Sequence, residues 1–381
     1  NFIYAEHDVF ELSENSVAVN AGDNNAANIP DTDLNGKTRI NDDVIDMGAY
    51  EQSCVKYRYV SKGMSMGQSV SFYGSTITEP GRYQKRWALD ATCDSLVVMD
   101  VRVSGTVCYV TETGAGLKDG SSWSNAYDDI NLAVTNMFNA SGFDSKQVWI
   151  AAGTYKGNAN GVAFSMLAGV EVYGGFAGNE TNLAQRDIEN NKTILTTNYN
   201  GQTILAASSS NPGTEESPAI WNGLHFNADY AKVVLTANNT LDNCIVSVGA
   251  EMNNATINNC IFREINNSSN RIIADASTLR NCKIINNTRN SRYSLLTLNN
   301  STLDSCQFYA NNVTMPLIDA NASNIEKTHI YKNTSKHSMI DATETNITNS
   351  LVFNNAVNGS VSGFFAVVHA KDNTVISNSN F

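Results

Sequence analysis

Charge, basic residues and long apolar runs are all scarce in this sequence. Only 16% of its 381 residues are charged, and 25 Lys and Arg stand against 37 Asp and Glu, a formal net charge of −12. Such a chain presents no broad basic surface, which argues against generic nucleic-acid binding. No stretch approaches 18 consecutive apolar residues, so no direct membrane insertion is expected. The opening Asn1-Phe2-Ile3-Tyr4 has neither Met nor a basic-then-apolar leader, and the chain reads as an interior fragment. Cys54, Cys93, Cys108, Cys244, Cys260, Cys282 and Cys306 form no C-x-x-C pair and have no spaced His partners. A structural zinc site therefore has no support, and neither a metal nor a cofactor is expected. The chain is also too poor in Cys for its length to be a small disulfide scaffold.

Asparagine is the residue in excess, with 52 copies. Its place becomes clear from internal repetition. Leu241-Asp-Asn-Cys244-Ile-Val246, Ile257-Asn-Asn-Cys260-Ile-Phe262, Leu279-Arg-Asn-Cys282-Lys-Ile284 and Leu303-Asp-Ser-Cys306-Gln-Phe308 share one frame. Ile325 and Ile347 continue it, Trp221 begins it upstream, and a degraded copy starts at Val375, a mean period of about 22 residues. Seven residues before most starts stands an apolar residue (Val234, Ile272, Leu296, Ile318, Ile340, Val368), and two residues later a small or apolar one, the alternation of a short strand. Two residues after the start, Asn243, Asn259, Asn281 and Asn349 mark a bend, because Asn tolerates the left-handed backbone. Repeated each coil, these bends stack Asn on Asn, so the amides can hydrogen-bond along the stack. The inward third position carries Cys244, Cys260, Cys282 and Cys306, then Thr328, Ser350 and Asn378. Rungs about 4.8 Å apart hold Cβ atoms too far apart for easy disulfides, so free thiols packed as small hydrophobes are expected. Leucine-rich repeats share the period, but their Leu-x-x-Leu-x-Leu frame is absent.

Upstream, Trp123, Ala126, Ile130, Ala133, Val134, Met137 and Phe138 recur at helical spacing behind Ser121, Ser122 and Ser124, which predicts a capping helix of about four turns. Such a helix would hide the open end of a solenoid. Residues 54 to 103 alternate in short runs broken by Gly and Pro, a small antiparallel β module bracketed by Cys54 and Cys93, which could pair in an oxidising compartment. Residues 1 to 53 are polar, and Arg39 among Asp33, Asp42, Asp43, Asp46 and Glu51 is expected to tie a loop. The fold reading is all-β: a right-handed parallel β-helix over 104–381, with a cap region 104–215 and regular coils 216–381, preceded by the β module 54–103 and a segment 1–53.

Several stretches resemble one family. Cys108-Tyr-Val-Thr, Asp119-Gly-Ser-Ser-Trp123, Val148-Trp-Ile-Ala-Ala-Gly153-Thr-Tyr155, Tyr173-Gly-Gly-Phe-Ala-Gly-Asn-Glu180-Thr181 and Arg186-Asp187 look like the N-terminal opening of Bacteroidetes-type cell-surface proteins of the pectin-lyase-like parallel β-helix class. Asp33-Leu-Asn-Gly-Lys-Thr-Arg39 and Ile45-Asp-Met-Gly-Ala-Tyr-Glu51 look like that family's closing segment. The resemblance implies that residues 1–53 close a preceding β-helix and that a second one is cut before its own closing segment. It also implies an extracellular or bacterial cell-surface location at the outer membrane, with host or bacterial glycans or surface proteins as partners.

Two groups of residues carry candidate chemistry. Asp319, Asp341 and His369 occupy the outward position six residues before successive starts, placing two carboxylates and an imidazole on consecutive coils. Like charges one rung apart push one carboxylate pKa upward, which suits proton transfer in a polysaccharide lyase or glycoside hydrolase acting on an acidic polysaccharide. The bland alternative is solvated repeat consensus. The span 256 to 300 is locally basic, and Arg263, Arg280, Lys283 and Arg292 would suit the carboxylates or sulfates of an anionic glycan. The alternative there is a scatter of solvated charges. Non-catalytic adhesion or glycan binding, a polysaccharide-degrading enzyme and a structural spacer all remain open on the sequence, adhesion being the leading reading.

Overall fold

The structure, a computed structural model, describes residues 12, 16–34, 38–40, 44–51, 54–63, 69–78, 81–88, 93–102, 106–140, 143, 145–157, 161–197, 201–359 and 367–381. The chain divides into two compact units, Asn1–Val103 and Ser104–Phe381.

In the first unit the Arg39 guanidinium meets the Glu51 carboxylate at 2.8 Å, the Glu51 carboxylate also accepts from Asp46 N, and Glu51 N donates to Asp33 Oδ2 at 3.1 Å. Arg39 thus ties this loop, as its acidic surroundings predict; Asp42 and Asp43 lie outside the described residues. Gly81–Ala88 runs antiparallel to Cys93–Arg102, and Val70–Phe72 forms a hairpin with Ser75–Ile77. One pairing was not foreseen: Cys54–Gly63 runs parallel to Cys93–Arg102, in a register that sets the backbone of Cys54 across from Cys93. The side chains of both cysteines lie outside the described residues.

The second unit is a parallel β-helix. Its first sheet has 11 strands, from Thr106–Val110 to Val375–Ser377; the second has nine, from Gly153–Lys156 to Leu351–Phe353; the third has nine, from Val162–Met166 to Val368–Lys371. A fourth, of two-residue strands, joins Thr288–Arg289, Asn312–Val313, Thr334–Ser335 and Ala356–Val357. Parallel pairing begins well before the regular repeat, since Thr106–Val110 already pairs with Lys146–Ala151. Leu241, Ile257, Leu279, Leu303, Ile325 and Ile347 stack in register inside the first sheet, all buried. A right-handed winding is what the strong preference of parallel crossovers leads one to expect.

The bend two residues after each start adopts the left-handed conformation at Gly223, Asn243, Asn259, Asn281, Ser305, Lys327 and Asn349, with φ between 47° and 73°. Two further left-handed bends occur in each coil from Ile257 onward, one exemplified by Ala276, Asn300 and Ala322, the other by Asn286, Ala310 and Asn354. At the first bend, amide stacking is short: Asn281 Nδ2 donates to Asn259 Oδ1 at 2.7 Å. The continuous amide ladder stands six residues later, where Asn287, Asn311, Asn333 and Asn355 link Nδ2 to Oδ1 at 2.8, 2.8 and 3.0 Å. The first three are buried, and their amides also satisfy backbone groups such as Ile265 N and Ile284 O, which the turn would otherwise leave unpaired.

Three local expectations are corrected. Val233, not Val234, faces inward, because Val233 pairs with Leu205 and Ala250 while Val234 is half-buried on the outer face; a one-residue change of register flips the side chain. At the end of the chain Ile376, not Val375, continues the Ile347 ladder, so Ser379 takes the inward position and donates from its Oγ to Ser377 O, while Asn378 takes the left-handed bend. The four-turn helix is really a 3-10 turn, Trp123–Asn125, followed by a helix Ile130–Asn139. A β-bridge between Val110 and Tyr127 separates them, and the cap is Asp129, whose carboxylate accepts from Leu132 N at 3.1 Å, not a serine. Cys244, Cys260, Cys282 and Cys306 are free and buried; Cys244 N and Cys282 N each donate to the sulfur one coil on at 3.4 Å.

Candidate functional site

The third sheet builds the first candidate group. Strand alternation turns Ile318, Ala320, Ile340 and Ala342 inward, so Asp319 and Asp341 must point outward, and parallel register aligns Asp319, Asp341 and His369 on neighbouring rungs. His369 Nδ1 lies 3.4 Å from Asp341 Oδ1. Lys371 Nζ lies 2.9 Å from the same oxygen and donates to Oδ2 at 3.1 Å. Lys371 was missed in the sequence, although its place two residues after His369 on the same strand face was the available signal. Partial burial, and then the Asp341 charge, push the Asp319 carboxyl upward, with Lys371 opposing.

The basic residues do not converge. Arg280, on the first sheet, forms an ion pair with Asp304 at 2.9 Å, and Lys327 reaches the other oxygen of Asp304 at 3.9 Å. Lys283 stands exposed on the second sheet, between Ile261 and Gln307. Arg292 is exposed in the connection between the fourth and third sheets. Of the other cations in this span, Arg289 is buried, bonded to Ser294 O, Ser268 O and Ser291 Oγ, and Arg271 stacks 4.4 Å from the Tyr293 ring. The local surplus of positive charge is thus largely used within the turns.

Arg263 belongs to a different group, near His225 on the second sheet. His225 Nε2 lies 3.2 Å from Ser247 Oγ, while burial, then Arg263, hold the imidazole down at about 4. This histidine–serine contact was not read from the sequence, since its members come from different coils. A Ser–His nucleophile is disfavoured: catalysis would require the imidazole to take a proton beside a guanidinium, and among the described residues its Nδ1 has no hydrogen-bond partner to orient it. On the same sheet, Tyr309, Tyr331 and Phe353 stack with centroids 5.2 and 5.4 Å apart. Their faces cover one another, which makes them a ladder of the fold more than a platform for a sugar ring.

Among the described residues, no group of three or more His, Cys, Asp or Glu is placed to hold a metal ion, and no helix is long and apolar enough to cross a membrane. No protein-family model and no curated protein matches the sequence. Solved structures do match. A protein of Geobacillus virus E2, ORF18, is 12% identical over 71% of this chain and 62% of its own, with a TM-score of 0.42. The tailspike of E. coli bacteriophage HK620, in complex with a pentasaccharide, is 8% identical over 70% and 62%, at 0.35. The pectate lyase Pel9A is 14% identical over 73% and 63%, at 0.25. The matches span less than two thirds of each of these three chains. The architecture rests on this chain's own strand pairing. It is a parallel β-helix.

Proposed function

We propose that this chain is a secreted or cell-surface β-helix that binds an extended glycan along a lateral face without turning it over, in an adhesive role. One observation carries the reading: the assembled polar groups sit at outward strand positions on flat, repeating sheets. Asp319, Asp341, His369 and Lys371 offer acceptors and donors at one rung spacing, a periodic surface suited to a polymer. Lys283 and Arg292, exposed, are the cations left for an anionic glycan, since Arg280 is paired with Asp304 and Arg263 is half-buried beside His225. The sequence resemblance to Bacteroidetes-type surface proteins supports an extracellular setting, and surface proteins are the other class of partner. Glycan-array binding tests this. Binding should weaken with added salt, because exposed charges are screened, and in Lys283→Ala with Arg292→Ala or in Asp341→Asn, while product assays stay blank.

A second reading has its own support. Carboxylates one rung apart, with Asp319 raised and Asp341 held by Lys371, have the layout of an acid beside a second carboxylate, and retaining glycosidases hold such groups about 5 to 5.5 Å apart. Asp319 would then protonate the leaving oxygen of an acidic polysaccharide while Asp341 acts as nucleophile or base. Cleavage lost in both Asp319→Asn and Asp341→Asn, with the fold intact, would replace the binding reading by this one.

A further inference from the structure

The first unit carries a tyrosine where turn chemistry does not ask for one. Val70–Phe72 and Ser75–Ile77 pair antiparallel with Phe72 opposite Ser75, so the whole connection is Tyr73-Gly74. Both residues have left-handed backbone, with φ of 45° and 85°, the sign pattern of a type I′ turn. Asn, Asp or Gly suits the first of these positions, whereas a bulky side chain there is strained because its Cβ crowds the backbone. Local preference would write Asn-Gly. The ring, not the turn, is what Tyr73 supplies.

That ring is braced and left open. Phe72 meets it edge-on with centroids 5.0 Å apart, and Trp87, from the strand Gly81–Ala88, meets it at 4.9 Å and a tilt of 58°. Phe72 is buried and Trp87 half-buried, yet Tyr73 remains 54% exposed. A ring already fixed by packing loses little freedom when a ligand covers it. The side chains flanking the tip, Ser71, Ser75 and Thr76, are exposed hydroxyls. An apolar ring bordered by hydroxyls matches a pyranose, which offers a flat C–H face and a rim of hydroxyl groups. A folded protein is a poorer match, since a stable contact needs about 800 Å² on each side and one ring with three short side chains offers far less.

We propose that Tyr73, braced by Trp87, is a stacking site for a pyranose ring, a second carbohydrate site carried by the β module and independent of the lateral face of the β-helix. Saturation-transfer NMR on the full chain with cellohexaose, xylohexaose, mannohexaose and hexagalacturonate tests it. At least one of these should receive saturation, strongest at the C–H protons of one ring face. Tyr73→Phe keeps the ring and should bind within about twofold of the parent chain, whereas Tyr73→Asn should weaken binding at least about tenfold. Because Asn-Gly is the preferred pair for this turn, Tyr73→Asn should also leave the module's melting temperature equal or higher. Asp341→Asn, in the β-helix, should leave this binding unchanged. Transfer to none of the four, or undiminished transfer in Tyr73→Asn, would overturn the proposal. So would a lower melting temperature in Tyr73→Asn, which would make the ring a packing residue for Trp87. Loss in Asp341→Asn alone would assign the sugar to the lateral face, and transfer that depends on Tyr73 but not on Asp341 would uphold this site even if the lateral face bound nothing.

Discussion

Asn311 shows what the excess of asparagine does. Its Oδ1 accepts from Asn287 N and Nδ2, and its Nδ2 donates to Ile284 O and Asn333 Oδ1, all inside the core. Asn311→Leu keeps the volume but orphans groups on both neighbouring coils, so it should cost about 2 to 4 kcal/mol in urea unfolding. Asn321→Ala, at an exposed strand position, should change stability by less than about 0.5 kcal/mol. His225 makes a pH prediction. Its pKa falls from the ordinary 6.5 to about 4 in the fold, so between these values the unfolded chain binds more protons than the native one. Stability should therefore fall as pH drops from 7 to 4.5. Denaturation at both pH values checks this: His225→Gln should show a shallower loss, and an equal loss would assign the pH dependence to other groups.

At the scale of strands and turns, the sequence showed what repeats apolar residues and hid what the turns contribute. Leu303→Asp places a charge between Leu279 and Ile325, where neither water nor a partner can reach it. It should cost at least about 4 kcal/mol or abolish the cooperative melt seen by circular dichroism. That ladder was legible because every start is a large aliphatic residue in a nearly constant frame. Two of the three bends were not legible, because Ala276, Ala310 and Glu344 hold left-handed backbone without an Asn or Gly to announce it. The end of the frame slipped by one residue for a related reason: Val375 and Ile376 are both β-branched, and only pairing with Ile347 chooses between them. The cap helix was placed too early because Trp123 and Ala126 fit a 3.6-residue spacing by accident, the Trp123 ring packing instead on Tyr109 and Phe176 across the first coils. Asp129→Ala should lower stability by about 1 kcal/mol through loss of the cap, measurable by thermal or urea melts. Of the candidate site, the Asp319, Asp341 and His369 column followed from strand alternation, whereas the neutralisation of Arg280 by Asp304 depends on a neighbouring coil and could not be read from composition.

For the molecule as a whole, stacking means that each coil touches only the coils beside it, so stability is close to a sum of coil and interface contributions. Removing residues 303–324 deletes one complete period. It brings Ile325 onto Leu279, Asn333 onto Asn287 and Ile340 onto Leu296, each a pairing of like residue types in the existing registers. The shortened chain should fold, with an unchanged parallel-β circular dichroism spectrum and a cooperative melt. Removing only residues 303–313 brings the third-sheet strand Ile318–Asn321 around half a coil early, facing the wrong sheet with its apolar side displaced, and that chain should aggregate or remain unfolded. Size-exclusion chromatography with circular dichroism separates these outcomes. If both deletions behaved alike, register between coils would not be what specifies the fold. The whole-coil deletion also removes Asp319 while keeping Asp341, His369 and Lys371. A folded variant that still bound glycan would place recognition on the remaining three, and one that had lost cleavage alone would identify Asp319 as the acid of an enzyme.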